Sequence, residues 1–346
     1  ELFFTTAEEV GMEGAAKFDC SHIRSKRFLN LDSEEEGIVY VGCAGGGRVT
    51  GKFPVTFEDA PKNGTKLKIE LSGFLGGHSG VDIGLGRANA AKVLPLVLSD
   101  LQDLDFKIRL IDFSGGAKMN AIPREATAII MIPTDDLAWF SKAIDDVSGK
   151  IFSAYPSEEP NLSYSEIALE GTEKVFDEES QKAFFALMFG LPHGVSSMEF
   201  EDETMVQTSN NIGIVKMDGY EIEITSMYRS SRESEIDRIA KVIEDVFHNA
   251  GAKVEAGNRY SPWEPQFDTV LLNLVKSKFE ELFGYKPKVK TIHAGLECAE
   301  FYKRIPGVEI TSFGPTMGDV HTPNEWLDIE SVGRFWVLLQ SLLLAE

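Results

Sequence analysis

The chain is poor in cysteine, poor in positive charge and has no long apolar run. Only Cys20, Cys43 and Cys298 occur in 346 residues. They are scattered and odd in number, with no Cys-x-x-Cys, which argues against a disulfide scaffold and a thiolate metal cluster and fits a reducing compartment, the cytoplasm. With 34 Lys and Arg against 55 Asp and Glu, the net charge is −21. Nucleic acid and anionic membrane surfaces call for basic patches, so neither is an expected partner. No stretch is long and apolar enough to span a bilayer, and residues 335–344 read as a core helix. No signal peptide is visible, but the chain starts with Glu1 and not Met. It reads as a processed chain or as part of a longer reading frame.

Several catalytic signatures also fail. Gly46, Gly51 and Lys52 nearly spell a phosphate loop, but Phe53 stands where the magnesium-binding hydroxyl belongs. Gly84-x-Gly86 ends in Asn89 where a dinucleotide fingerprint needs glycine. Val81 breaks a nucleophile elbow at Gly77-His78-Ser79-Gly80, and no His-Glu-x-x-His occurs.

What is present is 43% hydrophobic residues, enough for a large core in about two domains. Residues 2–6 look like a short buried strand delivering Glu8 and Glu9. Residues 28–31 and 37–42 read as two more strands, the first ending at Asp32. The pattern then changes, and residues 52–257 form a separate domain, with strands at 66–73, 106–113, 125–132 and 161–169 and helices at 84–101 and 135–151. The order is β-α-β-β-α-β. A second such pass comes next: a helix at 178–189, a hairpin of 209–217 and 220–229 around Asp218-Gly219, a helix at 234–250 and a closing strand at 252–256. Residues 260–265 read as a linker. A helix at 268–283, strands at 288–292 and 309–313, and a helix at 331–344 return the chain to its first domain. The expected division is 1–51 and 258–346 around 52–257.

The candidate chemistry lies in acids and histidines. Glu8 and Glu9 follow the first strand, where one carboxylate can hold metal while its neighbour moves a proton, although acid pairs are often only solvated. Asp32 ends a strand as a ligand would, or is a helix N-cap or turn aspartate before Ser33. His321 lies in a loop between Gly318 and Pro323, a placement that favours a ligand. His293 follows a strand and would bind substrate, orient a ligand or cap. His78, flanked by glycines, sits in a ligand contact or a plain turn. Arg229 ends a hairpin strand, facing a substrate carboxylate or an ordinary surface ion pair. His22, His193 and His248 read as surface residues.

Along its whole length the chain resembles the M20 metallopeptidase family, and within it the cytosolic dipeptidase branch, which acts on Xaa-His and other unblocked dipeptides. The resemblance is carried by residues 7–14 (AEEVGMEG), 31–37 (LDSEEEG), 42–46 (GCAGG), 76–80 (GGHSG), 120–125 (NAIPRE), 292–298 (IHAGLEC) and 321–325 (HTPNE). It implies an α/β zinc-peptidase catalytic domain with an inserted α+β lid of ferredoxin-like plaits, doubled here, and two zinc ions, with cobalt or manganese as alternatives. By resemblance, Glu8 is the general base, Glu9 and His321 ligate one metal, and Asp32 ligates the other. His78 and Asn120 come from the lid to contact the substrate or polarise its carbonyl. Arg229 and His293 hold the substrate's carboxylate end.

The family pattern also contains an earlier His-x-Asp and a bridging Asp, which this chain does not show. Without them the metal partnered by Asp32 would lack two ligands. Two other functions therefore stand beside dipeptide hydrolysis: an N-acyl amino acid deacylase, which the length of the second domain disfavours, and an inactive fragment or binding module. The chain would act as a monomer or a homodimer.

Overall fold

A computed structural model describes the chain except residues 7, 9–11, 156–158, 160, 172–173, 201–203, 321–322 and 346. A short helix α1 (Glu13–Lys17) is followed by strands β1 (Arg27–Asn30), β2 (Ile38–Cys43), β3 (Gly45–Pro54) and β4 (Gly64–Ser72). Helix α2 (Ala90–Asp103) leads to β5 (Arg109–Gly115) and β6 (Ala126–Pro133), and α3 (Leu137–Phe152) leads to β7 (Ser163–Leu169). After α4 (Glu178–Gly190) come β8 (Gly194–Met198), β9 (Val206–Asp218) and β10 (Glu221–Ser230), then α5 (Glu233–Asn249) and β11 (Lys253–Tyr260). The last long elements are α6 (Val270–Phe283), β12 (Lys288–Ile292), α7 (Cys298–Arg304), β13 (Glu309–Ser312) and α8 (Ile329–Leu343). Contacts divide the chain into two compact units. One is Glu1–Gly45 with Ser230–Glu233 and Tyr260–Glu346; the other is Gly46–Arg229 with Ser234–Arg259.

The second unit is a nine-stranded sheet made of two interleaved plaits. In the first, β4-α2-β5-β6-α3-β7, the strands lie in the order β7-β4-β6-β5. The second copies that pattern in reverse, β9-β10-β3-β11, and takes its first strand from β3, which precedes the whole first plait in sequence. The plaits join where β5 and β9 pair antiparallel, with Val215 opposite Gly115. Alternation sets the faces. Leu67, Ile69 and Leu71 of β4 are fully buried while Lys66, Lys68 and Glu70 are half-buried. The apolar stripes of α2, α3, α4 and α5 all enter one continuous core, so the four helices share one face of the sheet.

Strand β3 is not apparent from sequence, because Gly45-Gly-Gly47 and Pro54 read as breakers. Its glycines make room for aromatics. A Cβ on Gly47 would lie 2.3 Å from the Tyr228 hydroxyl, and one on Gly51 would lie 2.2 Å from Phe247 Cδ1. Residues 46–51, expected in the first domain, accordingly belong to the nine-stranded sheet.

The first unit is a four-stranded sheet in the order β1-β13-β2-β12. β1 runs parallel to β13 and β12 parallel to β2, while β13 and β2 are antiparallel. Val39 and Val41 pack with α6 and α8 on one face, and Ile310 and Phe28 with α1 and α7 on the other. Residues 2–6 form no strand: Leu2 and Phe4 are exposed, and only Phe3 is packed, against Phe18 and Phe301. An apolar run becomes a strand only where its backbone groups find a ladder, and among the described residues these find none. The expected linker at 260–265 is an ordered segment, since Trp263 is fully buried and exchanges backbone hydrogen bonds with Cys43.

Phe184 stands at the centre of the doubled plait, fully buried among Phe53, Phe113 and Phe176. Phe184→Ala is expected to cost about 3–5 kcal/mol, the range for an aromatic removed from a close-packed core. Urea unfolding should show the midpoint falling at constant slope; an unchanged midpoint would mean that the ring is not part of the core.

Candidate active site

In the nine-stranded unit the sequence candidates converge. Gly77–His78 pairs with Ala121–Ile122, His78 opposite Ala121, and Ser79 N donates to Asn120 O at 2.9 Å. His78 and Asn120 are therefore neighbours across a short two-stranded clip. The His78 turn is closed by Asp82, whose Oδ2 accepts from His78 N at 2.8 Å, and by Arg87, which donates to Gly76 O at 2.7 Å. Gly77, at φ 134°, has no space for a Cβ beside Arg87 and Asp82. Buried Glu159 spends both carboxylate oxygens on the amides of Leu75 and Ala88, which flank the turn.

The His78 ring has a defined tautomer. Its Nδ1 accepts from the amides of Gly80 and Val81, at 3.2 Å each. A nitrogen accepting backbone N–H donors carries no proton, so the neutral ring's proton sits on Nε2. Burial, then the positive charge of Arg229, lowers the His78 pKa, while Asp82 raises it. His78 is thus a neutral donor through Nε2–H. Arg229 is within electrostatic reach of His78 and is buried, which removes the reading as a surface ion pair. The Asn120 side chain is exposed and makes no hydrogen bond among the described residues.

In the four-stranded unit, Asp32 follows β1 and is exposed; no helix begins after it, so it is not a cap. Its loop is pinned by Ser312, whose hydroxyl donates to Asn30 Oδ1 and pairs with the Ser33 hydroxyl, both at 2.6 Å. His293 is buried at the end of β12. The half-buried Glu8 lies in a tight wrap in which its carbonyl accepts from Met12 N at 2.8 Å and the Thr6 carbonyl accepts from Gly14 N at 3.0 Å. Thr5 ties this wrap to Glu297, donating to Oε2 at 2.9 Å. Glu9 and His321 lie outside the described residues. Among the described residues no group of three or more His, Cys, Asp or Glu side chains gathers in metal-binding fashion.

Glu297 carries a signal that its motif alone did not assign. It is buried, and its pKa is raised by burial and by the charge of Asp32, with the Thr5 hydrogen bond opposing. Two carboxyl groups in electrostatic reach, one of them desolvated, suit a bound cation, which would lower both pKa values. Glu297 Oε1 is moreover buried with no hydrogen-bond partner among the described residues, a hard oxygen donor of the kind a divalent cation takes. One expectation is corrected: His193 is partly buried, with Nδ1 3.4 Å from Asn89 Nδ2, and burial followed by the charge of Lys92 lowers its pKa to about 3. The segment after α4 returns across the N-terminus of α2, so this ring is held against the unit and not free in solvent.

Because folding depresses the His78 pKa, the unfolded chain takes up this proton first as pH falls. The stability tied to its neutral ring is present above the ordinary value of 6.5 and is lost below it. Asp82→Asn keeps the acceptor for His78 N and removes the charge that raises the pKa. Histidine ¹⁵N NMR should then show His78 titrating still lower than in the wild type; an upward move would rule out Asp82 as its counter-charge.

The peptidase family M20/M25/M40 matches residues 1–345. The cytosol non-specific dipeptidase of Escherichia coli (strain K12) is 35% identical over 344 residues, which cover 99% of this chain and 70% of that protein. The crystal structure of aminoacylhistidine dipeptidase from Vibrio alginolyticus superposes with a TM-score of 0.92 at 33% identity, covering 98% of this chain and 69% of that one. Among the described residues no helix is long and apolar enough to cross a membrane. On the match across its length, the identity to the relatives and the shared fold, the chain belongs to peptidase family M20/M25/M40.

Proposed function

We propose that the chain carries the machinery of a metal-dependent dipeptidase acting on Xaa-His and other unblocked dipeptides. The observation that carries this reading is the arrangement in the nine-stranded unit. A neutral His78 with its Nε2–H free to donate, an Asn120 amide beside it and the Arg229 guanidinium near it form a donor set for a peptide carbonyl and a terminal carboxylate. The names of the two relatives support the substrate class.

In this reading Glu9 and His321 hold one divalent metal and Asp32 the other, zinc in the first instance and cobalt or manganese as alternatives. When bound, the metals supply Lewis-acid polarisation and a water of lowered pKa. Glu8 takes the proton from the attacking water and passes it to the leaving amine. His78 donates from Nε2 to the developing oxyanion, and it does so as a neutral ring across the working pH range because Nδ1 is committed to Gly80 and Val81. Asn120 orients the scissile carbonyl. Arg229 and His293 bind the terminal carboxylate, which sets the preference for two-residue substrates. Cys20, Cys43 and Cys298 are free thiols, and the reducing cytoplasm suits them.

The test is hydrolysis of a dipeptide series, Xaa-His included, beside N-acyl amino acids, with zinc, manganese or cobalt added. Dipeptide turnover is expected, and Glu8→Gln should abolish it while leaving bound metal unchanged. Turnover of N-acyl substrates alone would replace the reading with a deacylase, and absence of both metal binding and turnover would replace it with a non-catalytic module.

A further inference from the structure

A polar side chain in the middle of a sheet strand has to be held by hydrogen bonds, because burying it unpaired is costly. Strand β9 carries four consecutive buried polar residues, Thr208, Ser209, Asn210 and Asn211. Asn210 turns to the helix side, donating to Pro192 O at 2.7 Å. Asn211 turns to the opposite side, and its Nδ2 donates to Met119 O at 3.2 Å and to Ala121 O at 2.8 Å. These carbonyls flank Asn120 on both sides. Two carbonyl acceptors fix which end of the amide faces them, since only the NH₂ can donate.

The loop could not lie there without glycine. On the same face of β9, a Cβ at Gly213 would lie 2.5 Å from Met119 O and 2.6 Å from Met119 Cα. At Gly116, with φ 69°, a Cβ would lie 2.1 Å from Gly213 O. The loop is thus pressed backbone to backbone on the strand, and Asn211 locks its register from beneath. From above, Asn120 O accepts from Ser79 N, next to His78.

We infer that Asn211 is a positioning residue for the reaction: it holds residues 119–121 so that the Asn120 amide and the His78 ring keep their mutual placement, while touching no substrate itself. The inference rests on the proposed role of Asn120 as a substrate contact. Asn211→Leu keeps the volume and removes both donors. Its kcat/KM on the best dipeptide should fall about 10- to 100-fold, mostly in kcat, the scale expected when a contacting group is misplaced by about an ångström.

The deciding measurement is a cycle with Asn120→Ala. If Asn211 acts through Asn120, the double variant should be no worse than Asn120→Ala within about threefold, because coupled positions are not additive. Multiplying losses, or an Asn211→Leu protein within twofold of wild type, would overturn the inference. Asn211→Ser retains one donor, should fall between wild type and Asn211→Leu, and serves if the leucine variant does not fold. Hydrogen exchange separates this inference from the functional reading. The Ser79 amide should exchange at least tenfold faster in Asn211→Leu while Ile130 in β6 is unchanged. Should the wild type hydrolyse no dipeptide, the functional reading falls, and the Ser79 result alone decides whether Asn211 sets the loop: unchanged protection there would end the positioning role.

Discussion

The nine-stranded unit depends on the seam between its two plaits. β5 and β9 are the strands through which two otherwise complete plaits become one sheet, with Val215 opposite Gly115 and Gly116 and Gly213 close by. A Cβ at Gly115 would crowd Ala91 of α2 and Ala126 of β6, while one at Gly116 would meet Gly213 O and one at Gly213 would meet the backbone of residues 118–119. Across the seam the two plaits share one core, in which Phe113 of the first meets Phe184 of the second. The close approach at Gly116 and Gly213 brings residues 119–121 onto β9.

Built on that seam, the site uses backbone more than side chain for its own support. The amides of Gly80 and Val81 set the His78 tautomer, the carbonyls of Met119 and Ala121 receive Asn211, and the amides of Leu75 and Ala88 absorb the charge of Glu159. In each contact one partner is main chain, whose position does not depend on a rotamer, which limits reorganisation when charge develops on a substrate. In the four-stranded unit the logic differs: short hydroxyl contacts pin the Asp32 loop, and the buried carboxyl of Glu297 stands within electrostatic reach of Asp32.

Much of the fold was legible because period and punctuation agreed. The Asp218-Gly219 turn placed the β9–β10 hairpin, and the helical stripes of α3 through α6 were read within a few residues, while α2 begins at Ala90, six residues later than expected. β3 was illegible for a physical reason: its glycines break local propensity but are required by the rings of Tyr228 and Phe247, which come from much later in the chain. Residues 2–6 failed the other way, since apolar character was mistaken for a ladder partner. For the site, flanking glycines and breakers pointed to His78. Asn211 gave only the faint signal of a polar residue within a strand, and its partners are 90 and 92 residues away. Glu297 stood within a motif, but its proximity to Asp32 is a tertiary fact.

The borrowed strand has a consequence for how the chain is made. The first plait is contiguous, β4 through β7, and can close while the ribosome is still synthesising the second half of the chain. β3, already translated, must wait for α4, β9, β10, α5 and β11, with its hydrogen-bonding groups unmatched throughout. Contacts of long sequence separation form late and slowly because their loops must be ordered first. The nascent chain therefore passes through a stage in which one plait is finished and the other is a single glycine-rich strand. The glycines and Pro54 make that strand a poor template for pairing with another chain. What weakens its local propensity also protects it during the wait.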